Sequence, residues 1–130
     1  MSYDFERARD HFQVKMDFTT GTHEVLGMID QGRDDVVILD VRMPRDYKAG
    51  HIPGAINLPR GTWANARGLS KDKLHILYCY SQTCHMAAEA ALELLRQGYR
   101  VQEMEGGYAT WVADGYRVEQ ESSQPVTVAV

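Results

Sequence analysis

The sequence has little of several features that mark particular classes of protein. It contains two cysteines in 130 residues, too few for the disulfide framework of a small secreted scaffold. No apolar run approaches the roughly 20 residues that a membrane-spanning helix needs. The start, MSYDFERARDHF, also lacks the basic and then apolar pattern of a secretory signal. We therefore expect a cytoplasmic protein with no membrane partner.

Charge and size narrow the class of protein and its expected partners further. The formal net charge is −4, and the chain has no block of five or more basic residues. Because nucleic-acid-binding proteins usually carry a basic patch, we expect no nucleic-acid partner. A length of 130 residues, with 44% hydrophobic and 25% charged residues, predicts one globular domain with a single core.

The spacing of apolar residues predicts alternating helices and strands. Two β-branched apolar runs, VVILDV and LHILYCY, are typical of strands buried on both faces. The segment between them is rich in proline and glycine and predicts turns. The predicted elements are an amphipathic helix over 3–16, a helix from an N-cap at Thr20 or Thr22 to Gly32, strands over 36–41, 55–58, 74–80 and 99–104, a helix over 86–97 and a short helix that carries Trp111. This order predicts an α/β fold with a mainly parallel central sheet covered by helices on both faces.

Both cysteines lie where the second apolar run gives way to a helix-like pattern. Cys79 ends the predicted strand, and residues 80–85 lead into the helix. Ligands of parallel sheets bind at the carboxyl ends of the strands. The N–H groups of such a loop, with the helix dipole, bind anions and lower the pKa of a thiol. Cys79 is therefore a candidate nucleophile toward a sulfane sulfur, a phosphate or an arsenate. The alternative is a small buried hydrophobic residue at a strand end.

Cys84 allows two interpretations of its own. It lies near the start of the helix, where it can form a disulfide with Cys79 if the loop folds back, as a resolving thiol does. It can equally be a small residue that packs the loop. A zinc site is less favoured, because Cys79, Cys84 and His85 are not matched by a second ligand pair at the usual spacing.

Two long segments resemble the rhodanese-like domain, a sulfurtransferase family. ILDVRMPRDYKAGHIPGAINLP, residues 38–59, resembles the first signature of that family. LYCYSQTCHMAAEAALELLRQGYRVQEMEGGYATW, residues 77–111, resembles its active-site strand, loop and helix and its closing glycine-glycine and tryptophan motif. The resemblance covers about 90 residues in the family's order. It implies a single rhodanese-like domain over 20–118, with an N-terminal helical extension over 1–19 and a C-terminal tail over 119–130.

The resemblance also implies roles for individual residues. Cys79 matches the catalytic cysteine that carries the persulfide. The loop whose amides surround it consists of Tyr80, Ser81, Gln82, Thr83, Cys84 and His85. Asp40 and Arg42 match the Asp-x-Arg after the central strand and support the site, the carboxylate by capping nearby amides. For His51, Tyr108 and Trp111 the resemblance implies turn or packing roles.

The loop departs from the common family pattern in two ways. Gln82 and Cys84 replace the usual glycine and the usual arginine, serine or threonine. The segment from Cys79 to Gly98, the glycine that ends the helix, is also about two residues longer than usual. This resembles a branch with a cysteine-x4-cysteine loop. Within the fold, longer loops are associated with larger oxyanions, as in dual-specificity phosphatases and arsenate reductases. Those enzymes end the loop with an arginine, where this chain has His85, so the electrostatic support for phosphate chemistry is missing.

The sequence as a whole therefore predicts a sulfurtransferase. Cys79 is expected to take sulfane sulfur from thiosulfate or a low-molecular-weight persulfide and to pass it to a thiol or to cyanide, with Cys84 as a candidate resolving thiol. The expected partners are this small-molecule donor and a thiol acceptor, either a small thiol or a redox protein. Neither a metal nor an organic cofactor is implied. The alternatives are an arsenate reductase or phosphatase-type cysteine enzyme, and a non-catalytic binding or redox-sensor module.

Overall fold

Five strands form one parallel sheet in the computed structural model, which describes residues 2–121. The strands are β1 (Thr19–Thr20), β2 (Val36–Asp40), β3 (Ile56–Asn57), β4 (Leu74–Tyr78) and β5 (Arg100–Met104). They lie in the order β1-β5-β4-β2-β3, and each of the four pairings is parallel. The predicted α/β fold with a parallel central sheet is confirmed.

Helices cover both faces of the sheet. They are α1 (Phe5–Phe18), α2 (Thr22–Asp30), α3 (Pro44–Ala49), α4 (Met86–Arg96) and α5 (Gly107–Ala113), with a 3₁₀ turn at Trp63–Asn65. Alternate side chains of a strand point to opposite faces, so Leu39 and Leu77 pack with α4 in one core. Ile38 and Ile76 pack with α2 and α5 in a second core. The sheet thus divides the expected single core in two, and burial on both sides explains why β2 and β4 are mostly apolar.

Helix α3 lies in the segment that the sequence predicts as turns. It has only six residues, too few for a helical repeat of apolar side chains to be visible. Pro44 occupies its first turn, where the absent N–H group has no helical partner to lose. The strand predicted over 55–58 is present as the shorter β3.

The N-cap predicted for α2 is wrong. Gly21 is the N-cap, while Thr20 belongs to β1 and Thr22 is the first helical residue. The Thr22 hydroxyl instead donates a hydrogen bond of 2.6 Å to Asp114 at the end of α5. Strand β1 was not predicted, because two residues show no alternation.

Helix α1 is confirmed at Phe5–Phe18, but its apolar stripe does not enter either core. No side chain of α1 is buried, and Phe5, Phe12 and Met16 are 73%, 59% and 74% exposed. An ion pair of 2.8 Å from Lys15 to Glu105 links the end of the helix to the segment after β5. This contact places the C-terminal end of α1 beside the carboxyl end of the sheet.

The last part of the predicted tail, residues 122–130, lies outside the described residues. Within the described part of the tail, Glu119 forms an antiparallel bridge with His51. The boundaries after residues 19 and 118 stay predictions. Among residues 2–121, no helix combines the length and apolar character needed to cross a membrane.

Candidate active site at the carboxyl end of the sheet

Cys79 lies at the carboxyl end of the central strand β4. The strand ends at Tyr78, one residue before the cysteine, so Cys79 is the first residue of the loop rather than the end of the strand. Its side chain is buried in the core that also holds Leu77 and the first turns of α4. A central strand packed on both faces therefore fixes the position of the candidate nucleophile.

The glycine turn before α5 holds one side of the loop. The Tyr108 and Ala109 amides donate hydrogen bonds of 2.9 Å to the carbonyl oxygens of Cys79 and Tyr80. Gly107 makes this approach possible, since a Cβ atom there would lie 2.6 Å from the Ser81 nitrogen and 2.9 Å from the Cys79 oxygen. The turn is therefore a structural clamp on the base of the loop.

Tyr80 ties the other side of the loop to α3. Its hydroxyl donates a hydrogen bond to the Asp46 carboxylate and accepts one of 3.2 Å from the Met43 amide. The hydrogen bond from Tyr80 is the main reason why the pKa of Asp46 is lowered. The unpredicted helix α3 thus serves as an anchor for the active-site loop.

The structure joins Cys79 and Cys84 in a disulfide. The two Cα atoms are 6.4 Å apart, within the usual range for a disulfide. The loop folds back in a turn in which the Cys84 amide donates to the Ser81 carbonyl oxygen at 3.1 Å. The structure therefore brings together the two thiols that the sequence singled out.

The tip of the loop has backbone N–H groups that make no hydrogen bond within the described part of the protein. Within residues 2–121, the backbone N–H groups of Ser81, Gln82 and Thr83 have no hydrogen-bond acceptor. The Gln82 side chain accepts a hydrogen bond from the Gly106 amide, which places the loop tip against the glycine turn. These three N–H groups differ from the Cys84 N–H, which is bonded within the loop, and their binding of an anion stays a prediction.

Asp40 and Arg42 form a buried ion pair beneath the loop. Both side chains are almost inaccessible to solvent, and Arg42 Nη2 lies 2.8 Å from Asp40 Oδ2. Asp40 also accepts hydrogen bonds from the Arg42 amide at 2.9 Å and from the Tyr78 hydroxyl. Burial alone would lower the pKa of the Arg42 guanidinium, but the hydrogen bond and charge of Asp40 raise it. The guanidinium also lies 4.0 Å from the centre of the Tyr108 ring, so Arg42 connects the Asp40 carboxylate with the turn that holds the loop.

The remaining predicted support residues lie in the surrounding shell. Trp111 is fully buried and Tyr108 is partly buried, in agreement with packing roles. The His51 ring donates a hydrogen bond of 2.8 Å from Nδ1 to the Tyr47 carbonyl oxygen and stacks on the Tyr47 ring. In the described part of the chain, no group of three or more His, Cys, Asp or Glu side chains is arranged to hold a metal ion.

Glu103 is a residue near the site that the sequence does not single out. It lies on β5 opposite Leu77 of β4. Its neighbours at alternate positions, Tyr99 and Val101, belong to the same core as Leu77 and Cys79. Glu103 therefore points to the Cys79 face of the sheet. A charged residue on the core-facing side of an alternating strand is the sequence signal for it.

Comparison with known proteins identifies the family. The rhodanese-like domain family matches residues 22–114. A thiosulfate sulfurtransferase, GlpE, of Pseudoalteromonas translucida is 37% identical over 83 residues, which are 62% of this chain and 77% of that protein. The HTH-type transcriptional regulator Rv0324 of Mycobacterium tuberculosis is 34% identical over 87 residues, 66% of this chain, but this chain spans only 38% of the regulator.

A solved structure agrees with this match. The BH2092 protein of Bacillus halodurans has a TM-score of 0.84 and 31% sequence identity, over 91% of this chain and 88% of that chain. With its sulfurtransferase relatives and its matched fold, the chain belongs to the rhodanese-like domain family.

Proposed function

We propose that this protein is a sulfurtransferase in which Cys79 carries sulfane sulfur from thiosulfate or a persulfide to a thiol or to cyanide. The observation that carries the proposal is the placement of Cys79 at the start of a loop in which the N–H groups of Ser81, Gln82 and Thr83 have no acceptor within residues 2–121, on a fold shared with sulfurtransferases. N–H groups that converge on a loop stabilise a thiolate and the negative charge of a persulfide.

The first half-reaction forms the persulfide. The Cys79 thiolate attacks the outer sulfur of the donor, and the sulfur–sulfur bond of the donor breaks. Thiosulfate releases sulfite, whereas a persulfide releases its thiolate. In the second half-reaction an acceptor thiolate attacks the outer sulfur and takes it as a new persulfide, and cyanide takes it as thiocyanate.

Cys84 offers a second way to discharge the persulfide. The Cys84 thiolate attacks the Cys79 sulfur, expels hydrosulfide and closes the Cys79–Cys84 disulfide, so the outer sulfur leaves reduced while the two cysteines are oxidised. A dithiol reductant must then return both cysteines to thiols. The disulfide in the structure supports this step, because it shows that the loop accommodates the product.

Intact mass spectrometry tests the proposal. Reduced wild type, Cys79→Ser and Cys84→Ser are each incubated with thiosulfate or glutathione persulfide, freed of excess donor and weighed without reductant. We expect Cys84→Ser to gain one sulfur atom and Cys79→Ser to gain none. Wild type should lose two hydrogens as the disulfide closes; if it keeps the sulfur indefinitely, the Cys84 step is wrong. Absence of added sulfur on every form with both donors would reject sulfur transfer.

The disulfide also favours a second candidate, a redox-sensor module without turnover. A similar domain forms part of the regulator Rv0324, and oxidation of the two thiols would change the shape of the loop. This candidate predicts that peroxide closes the disulfide quickly while no donor loads Cys79. The same mass measurement, with hydrogen peroxide in place of the donor, separates the two functions.

A further inference from the structure

The position of Glu103 places an acidic side chain at the active-site face. Its Cα atom is paired with that of Leu77, two residues before Cys79 on the same face of the sheet. Partial burial is the main cause that raises the pKa of its carboxyl, the charge of Glu105 raises it further, and the His85 ring acts in the opposite direction. Glu103 therefore lies within electrostatic reach of His85, the last residue of the loop.

The charges around Glu103 leave its carboxylate uncompensated. Within residues 2–121, no lysine, arginine or histidine lies within ion-pair distance of Glu103. Lys15, the cation at the end of α1, is paired with Glu105, and the Arg42 guanidinium is paired with Asp40. The loop over 80–85 contains neither lysine nor arginine. An ionised Glu103 thus places an uncompensated negative charge on the Cys79 face of the sheet.

A negative charge near Cys79 repels the two donor classes to different degrees. Thiosulfate is a compact dianion, and its attack by a thiolate brings three negative charges together. A donor with fewer charges near the sulfane sulfur is repelled less, because the Coulomb energy grows with the charge of the donor.

We infer that Glu103 determines donor specificity, disfavouring thiosulfate and selecting sulfane-sulfur donors with one negative charge or none. The inference deepens the proposed sulfur transfer and rests on it. Donors of this class include persulfides of small thiols whose amino group offsets a charge. Loading with such a donor forms the Cys79 persulfide and releases the donor's thiolate, with the same balance of atoms and electrons as the thiosulfate reaction.

A matched pair of donors tests the inference. Methanethiosulfonate differs from thiosulfate by a methyl group in place of one charged oxygen, so it carries one negative charge instead of two. It releases methanesulfinate where thiosulfate releases sulfite. Second-order rate constants for persulfide formation on Cys79 are measured with both donors by quenched mass spectrometry. The proteins are reduced Cys84→Ser and Cys84→Ser with Glu103→Gln, so that the persulfide accumulates.

We expect Glu103→Gln to raise the thiosulfate rate relative to the methanethiosulfonate rate by about threefold at low salt, the size of one unit-charge interaction at a partly solvated site. Glu93→Gln removes the same charge from α4 near its far end, where Glu93 pairs with Arg96, and should leave the ratio unchanged. Equal change of both donor rates in Glu103→Gln overturns the inference while leaving sulfur transfer intact. No gain of sulfur from either donor rejects the proposed function itself, and the specificity role with it.

Ionic strength provides a second measurement on the same two proteins. Salt screens the repulsion, so raising it from about 0.02 M to about 0.5 M should increase the ratio of thiosulfate to methanethiosulfonate rates when Glu103 is present. In Glu103→Gln the same change should alter the ratio less. A salt response that is identical in the two proteins contradicts the role of Glu103.

Discussion

Replacement of Gly107 by alanine tests the clamp that holds the active-site loop. Gly107 has φ of +64°, a conformation that costs an alanine about 1 kcal/mol. The added methyl would also lie 2.6 Å from the Ser81 nitrogen and 2.9 Å from the Cys79 oxygen. Both neighbours are backbone atoms, so relief requires the loop and the α5 turn to move apart.

The size of the effect follows from the contacts that this movement breaks. The clamp consists of the hydrogen bonds from Tyr108 to Cys79 and from Ala109 to Tyr80, and each is worth about 1 kcal/mol. Adding the backbone strain, we expect Gly107→Ala to lower the free energy of unfolding by about 3 kcal/mol. Urea denaturation of the reduced protein, followed by tryptophan fluorescence, measures this change.

Gly115→Ala is the matched control at the other end of the same helix. Gly115 has φ of +77°, and no atom lies within 4 Å of the position that its Cβ would take. Its replacement should therefore cost only the strain, about 1 kcal/mol. Persulfide formation on Cys79 should slow in Gly107→Ala and not in Gly115→Ala. If the two variants lose the same stability, the close approach of the glycine turn does not hold the loop, and the reasoning fails.

Two further predictions concern buried polar groups. Asp40→Asn leaves the Arg42 guanidinium buried without its counter-charge and should lower the free energy of unfolding by about 3 kcal/mol. The control Asp35→Asn, at an exposed ion pair, should give no measurable change. Similar urea denaturation curves for both variants would contradict the buried-pair argument. His75 is fully buried with Nε2 unpartnered among the described residues, and burial is the main cause that lowers its pKa from 6.5. Because the unfolded chain then binds the proton first, stability should fall as the pH drops below about 6.5, with a slope of up to about 1.4 kcal/mol per pH unit. His75→Leu should flatten that decline, and an unchanged pH dependence would show that His75 does not cause it.

The sequence predicts the central part of the fold because burial leaves a strong pattern there. Strands β2 and β4 are packed on both faces, so nearly every residue in them is apolar and their position is evident. The position of Cys79 is predictable for the same reason, because the end of a buried strand fixes where the loop begins. Short elements leave no such pattern. Helix α3 has six residues and strand β1 has two. The helix depends on its contact with Tyr80, and the strand depends on pairing with β5.

The parts of the site that the sequence did not predict depend on pairing between distant segments. The role of Glu103 follows only from the register in which β5 lies beside β4. The clamp by Gly107 similarly depends on a contact with Ser81, 26 positions earlier in the chain. The Asp-x-Arg pair is a contrasting case, because Asp40 and Arg42 are two residues apart and the local turn brings them together.

The anchoring of the loop makes it compatible with both a carrier and a disulfide state of Cys79. The base of the loop is fixed by the hydrogen bonds of the glycine turn to the carbonyl oxygens of Cys79 and Tyr80 and by the Tyr80 hydroxyl. Cys84 lies at the other end of the loop, where α4 begins, and its Cα is 6.4 Å from that of Cys79 in the disulfide. Because both anchors are present while the disulfide is closed, the bond between the cysteines does not require them to break. A relay through Cys84 therefore needs rearrangement only between residues 81 and 85. In the proposed reaction, the amides of this segment would stop stabilising the negative charge of the persulfide when hydrosulfide leaves.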